Sequence, residues 1–454
     1  MNVDGGPDLV IAGAGGGLAG ALRAAELGLD VLVVEVNEHF AQGNNTALST
    51  AMVPGAGSRW QREAGIDDSP DQFLADVLAK TGGAADQRLT RALAEVSAPL
   101  VEWLADHVGL PLSLVTDFDY PGHSRQRCHT VPGRSGRAML QELVRATRRS
   151  EEVEMMVPAR LVDVMADADG VHGVVVESGG QREEIPTSAL LLATNGYAAD
   201  PDLVAAHLPE IASAVYHGSE ASRGDALRLG RALGAQTAYL DAYQGHAALA
   251  MPAATLAGWA TVMHGAVLVA RDGRRFGDET TGYSEYASEV IRHAQGQAWI
   301  LLDERIDGLC RPFQDYLDTR ESGALRWGAD AREIAELTGV DAEGLEHTLR
   351  STRSFAQGRD VDPFGRQSWE APLGTPLAAI AVRPALFHTQ GGLLVDEGAR
   401  VLHTSGSPVP GLYASGGAAA GISGHGAGGY LAGNGLLPAL GLAYLAAESV
   451  AAAR

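Results

Sequence analysis

Residues 8 to 35 favour one kind of beginning over an ordinary glycine-rich turn. An apolar run from Asp8 to Ala12 (D-L-V-I-A) meets Gly13-Ala14-Gly15-Gly16-Gly17-Leu18-Ala19-Gly20, then Ala21 to Gly28, then a second apolar run, Val31 to Val34, closed by Glu35. A buried strand, a glycine turn, a helix and a second strand ending in an acid make a βαβ unit suited to a dinucleotide. Glycines let backbone amides approach a pyrophosphate, the helix N-terminus favours its charge, and the acid takes ribose hydroxyls. Glu35 follows the glycines by about 20 residues, the interval this job requires. Two glycine phases compete: counting from Gly13 puts Leu18 at the third glycine position, whereas Gly15, Gly17 and Gly20 form a complete set.

A single βαβ unit accounts for little of 454 residues, 46% of them hydrophobic, so two or three domains with ample core material are expected. The balance of 34 basic and 56 acidic residues, net −22, argues against nucleic acid or an anionic membrane as partner. Cys128 and Cys310 are too few and too far apart for a disulfide framework, which points to a reducing cytoplasm. No basic leader precedes the first strand, no apolar run reaches the roughly 18 residues of a membrane span, and no haem attachment motif occurs. Electrons therefore enter or leave by diffusion, to a soluble acceptor or oxygen. His123, Cys128 and His129 lack further partners at zinc-like spacing, so no metal is expected.

Along the chain, Gln42 to Thr50 reads as a polar loop and Asp71 to Val108 as helical. Val157 to Val164 and Val171 to Glu177 read as a hairpin, and Ala189 to Ala193 as a buried strand ending at Thr194-Asn195-Gly196. From about Gln244 the character changes: an irregular stretch, a short strand at Ala266 to Ala270, a turn at Arg271 to Arg275 on a solvated face, then a helix from Tyr283 to Gln295. Glycine-dense, apolar sequence returns near Arg383. The expected organisation is α/β: a nucleotide-binding domain formed by 1–245 and 383–454, interrupted by a cap inserted at 246–382.

Several segments carry a family resemblance. Phe387-His388-Thr389-Gln390-Gly391-Gly392 resembles an H-T-x-G-G segment, and Pro410 to Gly417 a P-G-L-Y-A-x-G strand and turn. Gly433-Asn434-Gly435-Leu436-Leu437 is similar to a G-N-A-L run that lies against a flavin ring. Gln244-Gly245-His246 and Gly273-Arg274-Arg275-Phe276-Gly277-Asp278-Glu279 resemble two cap segments. Together they resemble the flavoprotein family of fumarate reductases, succinate dehydrogenase flavoprotein subunits and 3-ketosteroid Δ1-dehydrogenases. The resemblance implies a Rossmann-like FAD-binding domain interrupted by an α+β cap that carries substrate. It also implies FAD held without a covalent link, since the loop Gln42 to Thr50 lacks the histidine used for one. Expected FAD contacts are Gly13, Gly15, Gly16, Gly17, Leu18, Ala19, Glu35 and Val36 in the first unit, then Gln42, Gly43, Asn44, Asn45, Thr46 and Ser49 in the loop. Ala159, Arg160, Ala193, Thr194, Asn195 and Gly196 follow, with Gly416, Gly417, Gly433, Asn434, Leu436 and Leu437 near the end.

In the fumarate-reducing branch one arginine clamps a substrate carboxylate and another donates the proton. Tyr283 and Tyr430 occupy those places here. A guanidinium offers a carboxylate a fixed fork of donors that a phenol does not reproduce, so fumarate and succinate are not expected substrates. Tyrosines suit the ketosteroid branch. Tyr283 then removes the proton α to a ketone, although Gly282 stands where that branch has proline. Tyr430, with the Gly433 or Asn434 amide, donates to the ketone oxygen, and Tyr120 supports the base unless it is a packing residue. His388 and His246 match positions that contact substrate, with a satisfied core histidine the rival for His246. Donors on the carbonyl are needed because an unactivated ketone is weakly acidic at its α-carbon. The expected function is FAD-dependent α,β-desaturation of a cyclic ketone, with hydride passing to flavin N5. The substrate is open between a 3-ketosteroid and a small ring such as cyclohexanone or 4-oxocyclohexanecarboxylate, and the short cap favours the small ring. An enone or enoate reductase, and a non-catalytic flavin-binding electron carrier, are the alternatives.

Overall fold

The computed structural model describes residues 5–117 and 119–454. They form two compact units, one of Met1–Leu208, Gly218–Tyr243 and His388–Arg454, the other of Pro209–His217 and Gln244–Phe387.

The first unit is built on a six-stranded sheet. Its strands are β1 (Leu9–Ala12), β2 (Val31–Val34), β3 (Val153–Met156), β4 (Leu190–Leu192), β5 (Arg400–Leu402) and β6 (Pro408–Ala414), in the order β5-β6-β4-β1-β2-β3. All neighbours are parallel except β5 and β6. The runs L-V-I-A, V-L-V-V and L-L-L are buried throughout, as parallel strands covered on both faces require. A separate antiparallel sheet holds Arg160–Asp167, Gly170–Ser178 and Gln181–Pro186. The mixed α/β architecture is the one expected from the sequence.

Helix α1 (Gly17–Glu26) packs on α3 (Leu436–Ala453) almost backbone to backbone. A Cβ added at Gly16 would lie 2.6 Å from the Ala439 carbonyl oxygen, and one at Gly20 would lie 2.8 Å from that of Ala443. The expectation that no apolar run reaches the length of a membrane span needs correction: α3 has 18 residues with a mean hydropathy of 1.6. It is apolar because 61% of it is buried inside the protein, where it also meets α2 (Gln87–Trp103). The helical stretch read at 71–108 is divided. Gly82 and Gly83, at φ +60° and +82°, end the helix Pro70–Lys80 before α2 begins.

In the second unit, the strand Leu377–Thr389 lies between Tyr243–Ala250 and Ala298–Asp303, with Val267–Val269 and Thr255–Leu256 at the outside. Val215–Tyr216 and Leu325–Gly328 also pair with it. Arg275, expected on a solvated face, is buried. Its guanidinium lies 2.7 Å from Glu279 and 3.0 Å from Asp362, and Arg366 adds a contact of 3.2 Å to Glu279. Two acids against two guanidiniums make burial tolerable. The burial of Glu279 is more than offset by Arg275, which holds its carboxyl below the usual range.

Candidate active site

The carboxyl ends of β1, β2, β4 and β6 stand level, because Ala12, Val34, Leu192 and Ala414 share one register. Such an edge is where open parallel sheets bind ligands. Gly13 leaves β1 at φ +113°, and a Cβ there would sit 2.3 Å from the Ala193 carbonyl oxygen. Gly15 faces the loop, where a Cβ would be 2.9 Å from Thr46 Oγ1 and 3.5 Å from Asn44 Nδ2. The competing glycine phases are thereby separated. Gly13 makes the turn and Gly15 allows close approach, while Gly16 and Gly20 pack helices and Gly17 abuts Ile11. Leu18 and Ala19 are buried in α1.

Glu35 follows β2 and spends one carboxylate oxygen on the Ala14 N–H (2.8 Å) and the other on the Asn37 N–H (2.8 Å). Burial raises its pKa against those two donors. Its neighbour Val36 is half-buried, and the Glu35 carbonyl accepts from Ala159 N–H. Arg160 is committed to Asp225 at 2.6 Å. In the loop, Gln42 is exposed on a short helix that ends at Gly43, and Asn44 Oδ1 caps Ala47 N–H. Asn45 accepts from Ser219 N–H, and Ser49 donates to the Thr46 carbonyl. Asn195, at φ +65°, donates to Ser222; Gly196 and Gly417 fit against Thr389 and Asn195 so closely that no Cβ has room, and Gly416 turns at φ +58°.

These residues fit FAD. Thr194 Oγ1 just past β4, Ser415 Oγ just past β6 and Asn434 Oδ1 before α3 are buried and lack a protein partner. Leaving such atoms unpaired costs roughly 1–3 kcal/mol each, a cost removed by a ligand that carries hydroxyls and ring N–H groups.

His388 and Tyr430 meet near the start of α3. Their rings are 6.0 Å apart, edge to face. A Cβ placed on Gly435 would lie 2.9 Å from His388 Nε2 and 3.6 Å from Tyr430 Oη, so both polar atoms converge on one point. Burial pushes the His388 pKa down to about 4, which keeps the ring neutral at pH 7. Behind it, Gln390 Nε2 donates to His388 Nδ1 (3.0 Å), Ser423 Oγ donates to Gln390 Oε1 (2.9 Å), and Asn434 Nδ2 donates to Ser423 Oγ (3.1 Å). Gly433 turns at φ +91°, and Leu436 and Leu437 open α3 from buried positions. Tyr120 packs with Met52, Val115, Cys128 and Ala432, and His123 Nε2 lies 3.0 Å from the Ala432 carbonyl oxygen. That segment braces the loop after Tyr430. His425 instead faces Asp241, exposed, at 2.9 Å.

In the second unit, Tyr283 is the first residue of the helix Tyr283–Ala294 and half-buried. Its ring stacks on His246 (4.9 Å, 26°), and His246 stacks in turn on Phe387 (5.2 Å, 14°). Gly245 N–H donates to Ser284 Oγ, tying the strand that carries His246 to the helix that carries Tyr283. Burial, assisted by His217, pushes the His246 pKa down to about 3. Ala248 N–H donates to His246 Nδ1 at 3.1 Å, so the neutral ring carries its proton on Nε2. Gly282 enters the helix at φ +141°, a conformation closed to the proline found in the ketosteroid branch. Trp259 and Tyr286 complete this aromatic group; Trp259 Nε1 and Tyr286 Oη are buried without a partner.

Sequence reading missed Gln390, Ser423, Phe387 and Trp259. Gln390 and Phe387 flank His388 in the quoted segment, a signal present in the sequence, but nothing in it places Ser423 beside Gln390.

Comparison with known proteins bears on the fold and the cofactor. The FAD binding domain family matches residues 8–436. The NADH:fumarate oxidoreductase of Klebsiella pneumoniae (strain 342) is 28% identical over 424 residues, covering 92% of this chain; the chain spans less than half, 45%, of that relative. The 4-oxocyclohexanecarboxylate 2-dehydrogenase of Sinomonas cyclohexanicum is 27% identical, covering 98% of this chain and 92% of the relative. The crystal structure of 3-ketosteroid-Δ4-(5α)-dehydrogenase from Rhodococcus jostii RHA1, in complex with 4-androstene-3,17-dione, matches with a TM-score of 0.76 at 26% identity, covering 99% of this chain and 98% of that one. The chain belongs to the FAD binding domain family.

Proposed function

We propose that the protein desaturates a cyclic ketone next to its carbonyl. The observation that carries this reading is the pair of tyrosines, 283 and 430, at the two positions where arginines serve dicarboxylates, each packed on a neutral histidine. A phenol and a neutral imidazole hydrogen-bond a ketone oxygen without the charge a carboxylate calls for. In this reading Tyr283 takes the α-proton, while Tyr430 donates to the carbonyl oxygen and stabilises the enolate that develops as the proton leaves. FAD, when bound, supplies the acceptor for the β-hydride. Electrons then pass to a diffusible acceptor or oxygen. The similarity to a 4-oxocyclohexanecarboxylate dehydrogenase supports a small ring, and the similarity to a ketosteroid dehydrogenase keeps the larger one in view.

A second reading, reduction of an enone or enoate by the same steps in reverse, is favoured by the similarity to a fumarate oxidoreductase. Anaerobic mixing separates the two. Oxidised holoprotein should be bleached by cyclohexanone, 4-oxocyclohexanecarboxylate or a 3-ketosteroid, with the enone as product. Failure with every ketone, together with rapid reoxidation of reduced holoprotein by an enone or by fumarate, would replace the first reading with the second.

A further inference from the structure

We propose that Gln390 decides which nitrogen of His388 carries the proton, and so makes His388 Nε2–H a second donor to the ketone oxygen beside Tyr430. The role of the donor rests on the ketone reading; the position of the proton does not.

A neutral imidazole has one N–H and one acceptor nitrogen, and whatever bonds to one nitrogen fixes the other. The groups behind His388 form a one-way chain. Asn434 Nδ2 is a donor only, so Ser423 Oγ receives its hydrogen and turns its own toward Gln390 Oε1. An amide whose oxygen is taken presents its NH2 group on the other side. Two groups compete for His388 Nδ1: the Thr389 carbonyl oxygen at 3.3 Å, which calls for a proton there, and Gln390 Nε2 at the shorter 3.0 Å, which donates and leaves the proton on Nε2. Gln390, Ser423 and Asn434 are 5%, 1% and 1% exposed, so bulk water does not compete for these groups.

The nitrogen so protonated is the one that matters. His388 Nε2 lies on the same side of Gly435 as Tyr430 Oη, at 2.9 and 3.6 Å from the point a methyl group would occupy. With the proton on Nδ1 instead, a lone pair would face the same point and repel the oxygen that Tyr430 receives. The second unit reaches the same tautomer independently: the Ala248 N–H, which as a backbone group cannot turn round, occupies His246 Nδ1. Gln390 acts through His388 and is a positioning residue. It occupies the variable place of the H-T-x-G-G segment, so the proton position is set by this chain's own choice of residue.

The test is 15N NMR of holoprotein labelled at the histidine ring nitrogens, with the His388 signals assigned by their loss in His388→Asn. At pH 7 the wild-type spectrum should show Nε2 protonated and Nδ1 bare. A proton on Nδ1, which means that the amide chain runs the other way, overturns the proposal. Gln390→Glu offers only acceptors to Nδ1, so the proton should move there. For any ketone that bleaches the wild type, kcat/KM should then fall about 100-fold, the usual loss when one such donor goes. If that variant does not fold, Gln390→Met, which keeps length and removes the amide, should give a mixture of tautomers. Wild-type tautomer populations in Gln390→Met overturn the proposal. A holoprotein that shows the Nε2–H form yet is bleached by no ketone would retire the ketone reading while supporting the assignment of the proton.

Discussion

Gly435→Ala is the sharpest test of the point where His388 and Tyr430 converge. Gly435 has φ −83° and ψ −50°, an ordinary helical conformation that alanine adopts without strain. Reduced freedom of the unfolded chain alone would make the change stabilising by about 0.4–1 kcal/mol. The methyl, however, would lie 2.9 Å from His388 Nε2 and 3.1 Å from its Cε1, where ordinary contact begins at 3.4 Å. The ring must therefore retreat by about 0.5 Å, which is the limit within which productive catalytic geometry is held. His388 is not free to do so cheaply, because Gln390 holds its far side at 3.0 Å. Overpacking of this kind costs roughly 1–3 kcal/mol, so the net destabilisation should stay near 0–2.5 kcal/mol and the fold should survive. Ketone-driven anaerobic flavin reduction should slow about 10- to 100-fold at full flavin content, as expected when one donor to a developing oxyanion is displaced. Combined with Tyr430→Phe the losses should fail to add, since both act at one oxygen. A Gly435→Ala protein with full flavin content and the wild-type rate would refute the convergence argument.

Tyr430→Phe should lower turnover by roughly 100-fold while FAD is retained, measured as steady-state rate per bound flavin. Tyr283→Phe should abolish both ketone-driven flavin reduction and exchange of the ketone's α-hydrogen into deuterated solvent, because both need the same proton abstraction. Wild-type exchange in that variant would return Tyr283 to a packing role. Glu35→Ala removes the acceptor of the Ala14 and Asn37 N–H groups and should weaken FAD retention on gel filtration; the cofactor released from wild type should chromatograph as FAD, not FMN. His123, His129 and His388 are pushed down from 6.5 to about 4, and His246 to about 3. The unfolded chain thus binds protons that the folded chain refuses. Their share of stability is complete above pH 6.5 and is lost as pH falls from there toward 4, by at most about 1.4 kcal/mol per pH unit for each ring. The urea midpoint should accordingly drop between pH 7 and pH 5, and a midpoint that holds or rises would contradict the burial of these rings.

What was legible in the sequence follows from locality. The strand–glycine–helix–strand–acid pattern is contiguous, so β1, α1, β2 and the place of Glu35 could be read directly, as could the helix beginning at Tyr283. The phase of the glycines could not. Whether Gly16 and Gly20 serve a phosphate or a helix depends on Ala439 and Ala443, hundreds of residues away. Arg275 looked solvated because the turn around it is polar; its burial depends on Asp362 and Arg366, remote partners that no local pattern announces. The apolar length of α3 escaped notice because glycine, proline and alanine dilute its hydrophobicity, and only the helical structure joins them into one buried rod. The histidine relay was invisible for the same reason. Gln390, Ser423 and Asn434 are unremarkable polar residues until the fold lines up their donors and acceptors.

The interrupted course of the first unit sets a timetable for its birth. β4 receives its partner β6 only after the whole second unit has been made: Leu192 pairs with Ala414, more than two hundred residues later. At ribosomal rates of about 5–20 residues per second, that edge waits roughly 10–40 s. The glycine face of α1 waits longer still, because α3, which covers it, follows β6 in the chain. A nascent chain stalled anywhere before Pro408 would therefore expose an apolar parallel edge and an uncovered helix groove, with Ser415 and Asn434 not yet made. Capture of the cofactor should then wait for the synthesis of α3, and the nascent first unit is a natural client for chaperones until that helix is in place.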